Sequence, residues 1–217
     1  AGWTDMTNEF GPFHHSYAVR KSDIFNHYSN FAEDCPTERT PAPGSRVVVA
    51  DPSVRDAHSL LDGLPPEVDL HRLDTSSDPI AQIAGCLNGR RGLSELHILS
   101  HGDAGTLRFA AGSVDRATLG AGRAGLETIA AALNDDATVV LYGCSVASGT
   151  SGRRFVEALE LALGARVVAS DRPVGAADLG GDWRLSGLDG VVCAPLFTSA
   201  ARAAFPGLLE ESGVATF

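Results

Sequence analysis

Lysine and methionine are nearly missing from this 217-residue chain, where Lys21 and Met6 are the sole examples. Arginine therefore carries almost all of the positive charge. That bias fits a GC-rich bacterial coding sequence and implies no function by itself, because arginine stays charged whatever surrounds it. Seventeen Lys and Arg face twenty-seven Asp and Glu, for a net charge of −10, which argues against a nucleic acid or an anionic membrane surface as the main partner. No apolar run approaches the roughly 20 residues that span a bilayer. None of the four cysteines has a C-x-x-C partner, which weakens a redox reading. Cys86 falls in a probable helix and Cys193 in the apolar run GVVCAPLF, and both read as buried free thiols. Cys35 lies in a Pro-flanked polar stretch and would bridge only in an oxidising compartment.

What is present is globular. Apolar residues make up 44% and charged residues 20%, and the length suits one domain with a real core. Residues 1–44 differ from the rest. They hold Lys21, Met6 and seven of the aromatics (Trp3, Phe10, Phe13, Tyr17, Phe25, Tyr28, Phe31), and they end in the Pro-rich TPAPG of 40–44. We expect an N-terminal arm or pro-segment (1–44), an α/β domain (45–209) and a C-terminal tail (210–217). His14, His15 and His27 fall in the arm without the Cys or carboxylate spacing of a metal site, so neither a metal nor a cofactor is expected.

From Ser45 onward the hydrophobic pattern is regular. RVVVA (46–50) reads as a buried strand ending at Asp51, 54–61 as a helix stopped by Gly63, and VDLHRL (68–73) as an outer strand of alternating polarity. Pro79 opens a helix with Ile80, Ile83, Ala84 and Leu87 at helical spacing. The strand ELHILSHG (95–102) follows, then a glycine-punctuated hairpin over 102–119, helical spacing over 126–133, and the buried strand ATVVLYGCSVASG (137–149). A helix over 153–163 closed by Gly164, the strand ARVVAS (165–170) ending at Asp171, a second hairpin around Trp183 and helical character over 198–209 complete the domain. This alternation predicts a mostly parallel sheet with right-handed crossovers and helices on both faces, a three-layer sandwich carrying two small β-hairpins.

One edge of that sheet gathers the chemistry. Four strands end in Asp51, His101, Cys144 and Asp171, and parallel packing brings those ends to the carboxyl edge, where open α/β folds place their ligands. A thiol and an imidazole meeting there form a Cys-His dyad, in which the imidazole takes the thiol proton and the thiolate attacks an acyl carbon. Ser145 lies in a turn that is close to a nucleophile elbow. It fails as the nucleophile of a serine hydrolase, because that fold needs a later histidine and none follows His101. His97, two strand steps away on the same face, reads as a packed residue.

The segments VVVADPSV (47–54), LLDGLP (60–65), HILSHG (97–102), LYGCSVASG (141–149), GARVVASD (164–171), LGGDWRL (179–185) and LFTSAARAAFPGLL (196–209) together resemble an uncharacterised bacterial domain family. That family is found near the amino terminus of very large surface adhesins with cadherin-like or RTX repeats. It resembles in turn the clan CD cysteine peptidases, among them caspases, gingipains, clostripain, separase and CHAT domains, which share an apolar strand ending in His-Gly and another ending in Cys. The resemblance implies a caspase-like fold, with His101 as general base or acid and Cys144 as nucleophile. It also implies an oxyanion hole made by the amides of Gly102 and Cys144, an arrangement that contributes about 3 kcal/mol in acyl transfer. Asp51 and Asp171 would shape the pocket for the residue before the scissile bond and favour Arg or Lys there. Secretion or the cell surface is the implied location, with the cytoplasm as the alternative.

Two functions of different class fit these residues. One is a cysteine endopeptidase acting on a polypeptide: a parent adhesin, or its own N-terminal arm, where Arg20, Lys21 and Arg39 would suit a basic-specific enzyme. The other is a catalytically silent module that binds a peptide at the same edge. Binding alone needs neither His101 nor Cys144, so their presence together favours the first.

Overall fold

The computed structural model describes residues 45–210. The expected arm, its boundary and its histidines, and residues 211–217, lie outside the described residues. In chain order the elements are β1 (Arg46–Ala50), α1 (His58–Leu61), β2 (Val68–Arg72), α2 (Pro79–Leu87), β3 (Leu93–Leu99), β4 (His101–Asp103), β5 (Thr106–Phe109), β6 (Gly112–Asp115), α3 (Arg123–Ala132), β7 (Leu133–Tyr142), α4 (Gly149–Leu163), β8 (Arg166–Val168), β9 (Leu185–Ser186), β10 (Val192–Cys193) and α5 (Ser199–Ala204).

Five strands form one sheet in the order β2-β1-β3-β7-β8, with every neighbouring pair parallel. Strands covered on both faces need apolar side chains on both, so residues 47–50 of β1 and 137–142 of β7 are buried, mostly apolar runs rather than alternations. The period of two then splits those side chains between two cores. Val47, Val49, Leu96, Ile98, Val139 and Leu141 pack with apolar residues of α2, α3 and α4. Val48, Ala50, Leu99, Val140 and Tyr142 pack with Leu60 of α1, Ala201 of α5 and Phe197. The result is a three-layer α/β sandwich, as the sequence predicts.

The helices obey local rules. Asp78 caps α2 by accepting from the Ala81 N–H at 3.0 Å, and Pro79 takes the first turn, where no N–H is needed. Gly164 ends α4 at φ +62°, donating to the Glu160 carbonyl at 2.8 Å. β9 and β10 pair as the second expected hairpin. The first is larger than expected: His101–Asp103 is itself a strand, so β4, β5 and β6 make a three-stranded antiparallel sheet.

Three expectations are corrected. The helix over 54–61 is reduced to α1, because the chain first turns at 51–57, with Asp56 at φ 54°. Helical character over 198–209 stops at Ala204. Phe205 makes the last backward bond, to the Ala201 carbonyl, and Pro206 holds Phe205 extended at ψ 118°. Cys193 is disulfide-bonded, whereas Cys86 and Cys144 are free.

The two outer strands of the sheet are closed off differently. Along β2, Arg90 pairs with Asp69 at 2.5 Å and reaches His71 at 3.3 Å. Beside the three-residue β8, the β9–β10 hairpin is attached by a pairing of Ala169 with Ser186, and the Arg166 guanidinium bonds Asp189 and the Val191 carbonyl. Among the described residues no helix is long and apolar enough to cross a membrane.

Candidate functional site

The register aligns Ala50, Leu99 and Tyr142 across the three central strands. The ladder continues one step further, with the Asp51 N–H donating to the Leu99 carbonyl at 2.9 Å and the Ser100 N–H to the Tyr142 carbonyl at 3.0 Å. Asp51, His101 and Cys144 therefore leave the sheet at one edge. There the backbones of Gly102 and of Gly143 and Cys144 lie against each other. A methyl group at Gly102 would stand 2.6 Å from Val146 Cγ2 and 2.8 Å from the Cys144 carbonyl oxygen, so only glycine allows this approach.

Cys144 is 3% exposed and begins a tight turn whose next residue, Ser145, is left-handed at φ 57°. A non-glycine residue held there stores strain of the kind found at functional turns. The sulfur accepts from the Val174 N–H at 3.1 Å and its S–H faces the Val174 carbonyl at 3.5 Å. Burial pushes the thiol up to about 11, with the Glu210 carboxylate adding to the rise, against the lowering effect of hydrogen bonds from Val174 and Leu209. In this state the sulfur is a thiol, not a thiolate.

His101 has a defined tautomer. Its Nε2 lies 3.1 Å from the Ser53 carbonyl oxygen, which can only accept, so Nε2 carries the proton. Nδ1 is buried without a hydrogen-bond partner among the described residues. A neutral imidazole held this way keeps a free lone pair, which is what a general base requires. The ring borders a cleft of about 780 Å³, whose walls include Ser53, Arg108, Phe109, Leu208 and Glu210.

The segment after α5 crosses this site, with Leu208 in an isolated antiparallel bridge. The Gly102 and Cys144 N–H groups donate to one and the same oxygen, the Leu209 carbonyl, at 3.0 and 2.9 Å. The Leu209 N–H donates to the Val174 carbonyl at 2.8 Å, and the Ala176 N–H to the Gly207 carbonyl at 2.8 Å. Residues 207–209 thus pair antiparallel with 174–176, with Leu208 opposite Gly175. Gly175, at φ +140°, leaves no room for a side chain, since a methyl group there would fall 2.2 Å from the Gly207 carbonyl oxygen. The Leu209 side chain is fully buried in the same apolar cluster as Val48, Leu99, Tyr142, Cys144 and Leu185.

The two aspartates expected at the specificity pocket are placed otherwise. Asp51 is 2% exposed and its carboxylate is engaged inside the domain, accepting from the Ser53 N–H (2.9 Å), the Ser53 hydroxyl and the Ala110 N–H (3.0 and 3.1 Å). It thereby holds the loop that presents the Ser53 carbonyl to His101. The Asp171 side chain is 71% exposed, does not line the cleft, and touches Arg172 at 3.8 Å. His97 is packed, with Nε2 on Glu95 at 2.8 Å and Nδ1 on the Tyr142 hydroxyl at 3.4 Å. Among the described residues no His, Cys, Asp and Glu are grouped to hold a metal ion. Ser53, Val174 and Leu209 escaped the sequence reading because all three act through backbone atoms.

The fold is thus a three-layer α/β sandwich with a parallel sheet, and at its carboxyl edge the Gly102 and Cys144 amides meet a carbonyl of the same chain. The chain belongs to a family described as Domain of unknown function (DUF4347), which matches residues 47–209. No curated protein and no solved structure matches it.

Proposed function

We propose that this domain is a cysteine endopeptidase that works through an acyl-enzyme, with Cys144 as nucleophile and His101 as general base and then general acid. The observation that carries the reading is the convergence of the Gly102 and Cys144 N–H groups on a single peptide carbonyl oxygen. Two preorganised donors at 2.9–3.0 Å are what a developing oxyanion needs. The backbone pairing with 174–176 would hold a substrate as an added strand, leaving side-chain pockets to set specificity. His101 Nδ1 takes the thiol proton and returns it to the leaving amine, while the Ser53 carbonyl steadies the imidazolium through Nε2. Water then hydrolyses the thioester.

The resemblance to clan CD peptidases supports the same roles. The resemblance to adhesin-associated domains supports a polypeptide substrate met outside the cell or on its surface. In place of the expected preference for Arg or Lys, the buried Leu209 and the engaged Asp51 favour an apolar residue before the scissile bond. The reading is tested by labelling Cys144 with a peptidyl electrophile in the native chain and in the Cys144→Ala and His101→Ala variants. Labelling that disappears in both variants is the expected result, and labelling indifferent to His101 would overturn the dyad.

A second reading, a silent peptide-binding module, is favoured by the Cys144 thiol's being held protonated by burial. Cleavage of any peptide that depends on Cys144 rules it out.

A further inference from the structure

We propose that the peptide bond between Leu209 and Glu210 is the enzyme's own substrate, cut within the same molecule. The inference rests on the peptidase reading and adds the bond, the direction and the side chain recognised. An extended segment could cross the edge in many registers. This one puts the Leu209 carbonyl oxygen between the two amides, the Leu209 N–H on Val174 and the Gly207 carbonyl on the Ala176 N–H. That is the hold expected on the acyl half of a scissile bond, and it places Glu210 as the first residue of the leaving half. The side chain of the acyl residue is fully buried among Val, Leu and Tyr side chains, while Glu210 is exposed. The two strand-end carboxylates expected to select a basic residue are engaged (Asp51) or face solvent (Asp171).

The step balances as ordinary acyl transfer. Cys144 Sγ bonds to the Leu209 carbonyl carbon, the bond from that carbon to the Glu210 nitrogen breaks, and the sulfur's proton passes through His101 to the new amine. One water then adds across the thioester, leaving a Leu209 carboxylate and restoring the thiol. Because substrate and nucleophile share one fold, the reaction is first order.

The test uses the full 217-residue chain, with the Cys144→Ala variant as the uncut reference. In ¹⁸O-water, intact-mass analysis should find a product ending at Leu209 with ¹⁸O in its terminal carboxylate, together with the 210–217 peptide. The half-time should be unchanged over a hundredfold range of protein concentration, and both products should be absent in the Cys144→Ala and His101→Gln variants. Leu209→Met should be cut within about fivefold of the native rate, and Leu209→Arg at least about 100-fold more slowly. Faster cutting of Leu209→Arg would overturn the apolar pocket. In parallel, a peptidyl acyloxymethyl ketone ending in Gly-Leu-Leu is offered to the native chain and to Leu209→Ala and Leu209→Asp, which loosen the resident strand. His101-dependent labelling of Cys144 in any of these, with a native chain that stays whole or is cut elsewhere, keeps the peptidase and overturns this bond as its substrate. No labelling and no cutting overturns both.

Discussion

Two histidines lie four residues apart in one apolar run, and their surroundings are opposite. His97, inside β3, is 2% exposed and has both ring nitrogens occupied, by Glu95 and by the Tyr142 hydroxyl. Burial, with Glu95 adding to it, pushes the Tyr142 phenol far above its usual value, so its hydroxyl stays protonated and can donate to His97 while accepting from the Leu196 N–H at 2.9 Å. Every member of that network has a partner, and such networks fix a core. His101, just past the sheet, has one nitrogen on a carbonyl and the other unpartnered, beside a cleft. The same side chain serves structure where its hydrogen bonds are complete and, in the mechanism proposed above, chemistry where one is left open.

Exchanging the two roles by mutation is the sharpest way to break this comparison. His101→Gln should lower Cys144-dependent cleavage at least about 100-fold while leaving the melting temperature nearly unchanged. His97→Gln should do the reverse, costing about 1–3 kcal/mol of stability by chemical denaturation, with cleavage per folded molecule retained. If His97→Gln abolished cleavage in a folded protein, the two regions would not be separable.

Gly102→Ala tests whether the open side depends on backbone proximity. The added methyl cannot fit beside Val146 and Cys144, so the paired amides should separate and cleavage should fall about 100-fold or more, the size of losing one oxyanion donor. Native-like electrophile labelling and cleavage in Gly102→Ala would remove the amides from the mechanism.

The titration of Cys144 gives the next effect. Its raised value makes the thiolate scarce at neutral pH, so iodoacetamide labelling of the uncut His101→Gln chain should rise roughly tenfold per pH unit from 7 toward 11. Loosening the resident segment with Leu209→Ala, which adds no negative charge beside the sulfur, should relieve the burial and shift that curve to lower pH. A curve already flat at pH 8 would mean that the sulfur is not buried as described.

Asp51→Asn should cost about 1–3 kcal/mol, since the carboxylate serves Ser53 and Ala110, and it should reduce cleavage only through the loop that carries the Ser53 carbonyl. The smallest effect belongs to Asp171→Asn, which should stay within about 0.5 kcal/mol and leave specificity untouched. A changed preference for basic residues in Asp171→Asn would restore the acidic pocket that the sequence suggested.

These contrasts also mark what could be read from the chain. The strands were legible because a sheet covered on both faces demands apolar runs such as 46–50 and 137–142, and their shared direction follows from the helices between them. That the strands ending at Asp51, His101 and Cys144 share one edge followed from that topology alone, whereas the sulfur's turn toward Val174, with no hydrogen bond to His101, did not. Whether a strand-end carboxylate faces substrate or a neighbouring amide depends on partners distant in sequence, such as Ala110 for Asp51, and composition carries no trace of them. The segment after α5 misled for a local reason. SAARAA has strong helix propensity, but Pro206 and Gly207 redirect the chain, and its destination is set by the backbone of 174–176. The Ser53 carbonyl was invisible because any residue could supply it.

The outer strands of the sheet carry a further consequence. A bare strand edge recruits other chains into aggregates, and here one edge is guarded by Arg90 across Asp69 and His71, while the other is short and roofed by a hairpin. The groove at 174–176, by contrast, welcomes an extended backbone, and in the intact chain residues 207–209 already fill it. Under the proposed cut residues 207–209 stay tethered to α5, so an adhesive edge would be uncovered only when their new carboxyl end swings away from 174–176, which would turn a self-contained domain into one open to strangers.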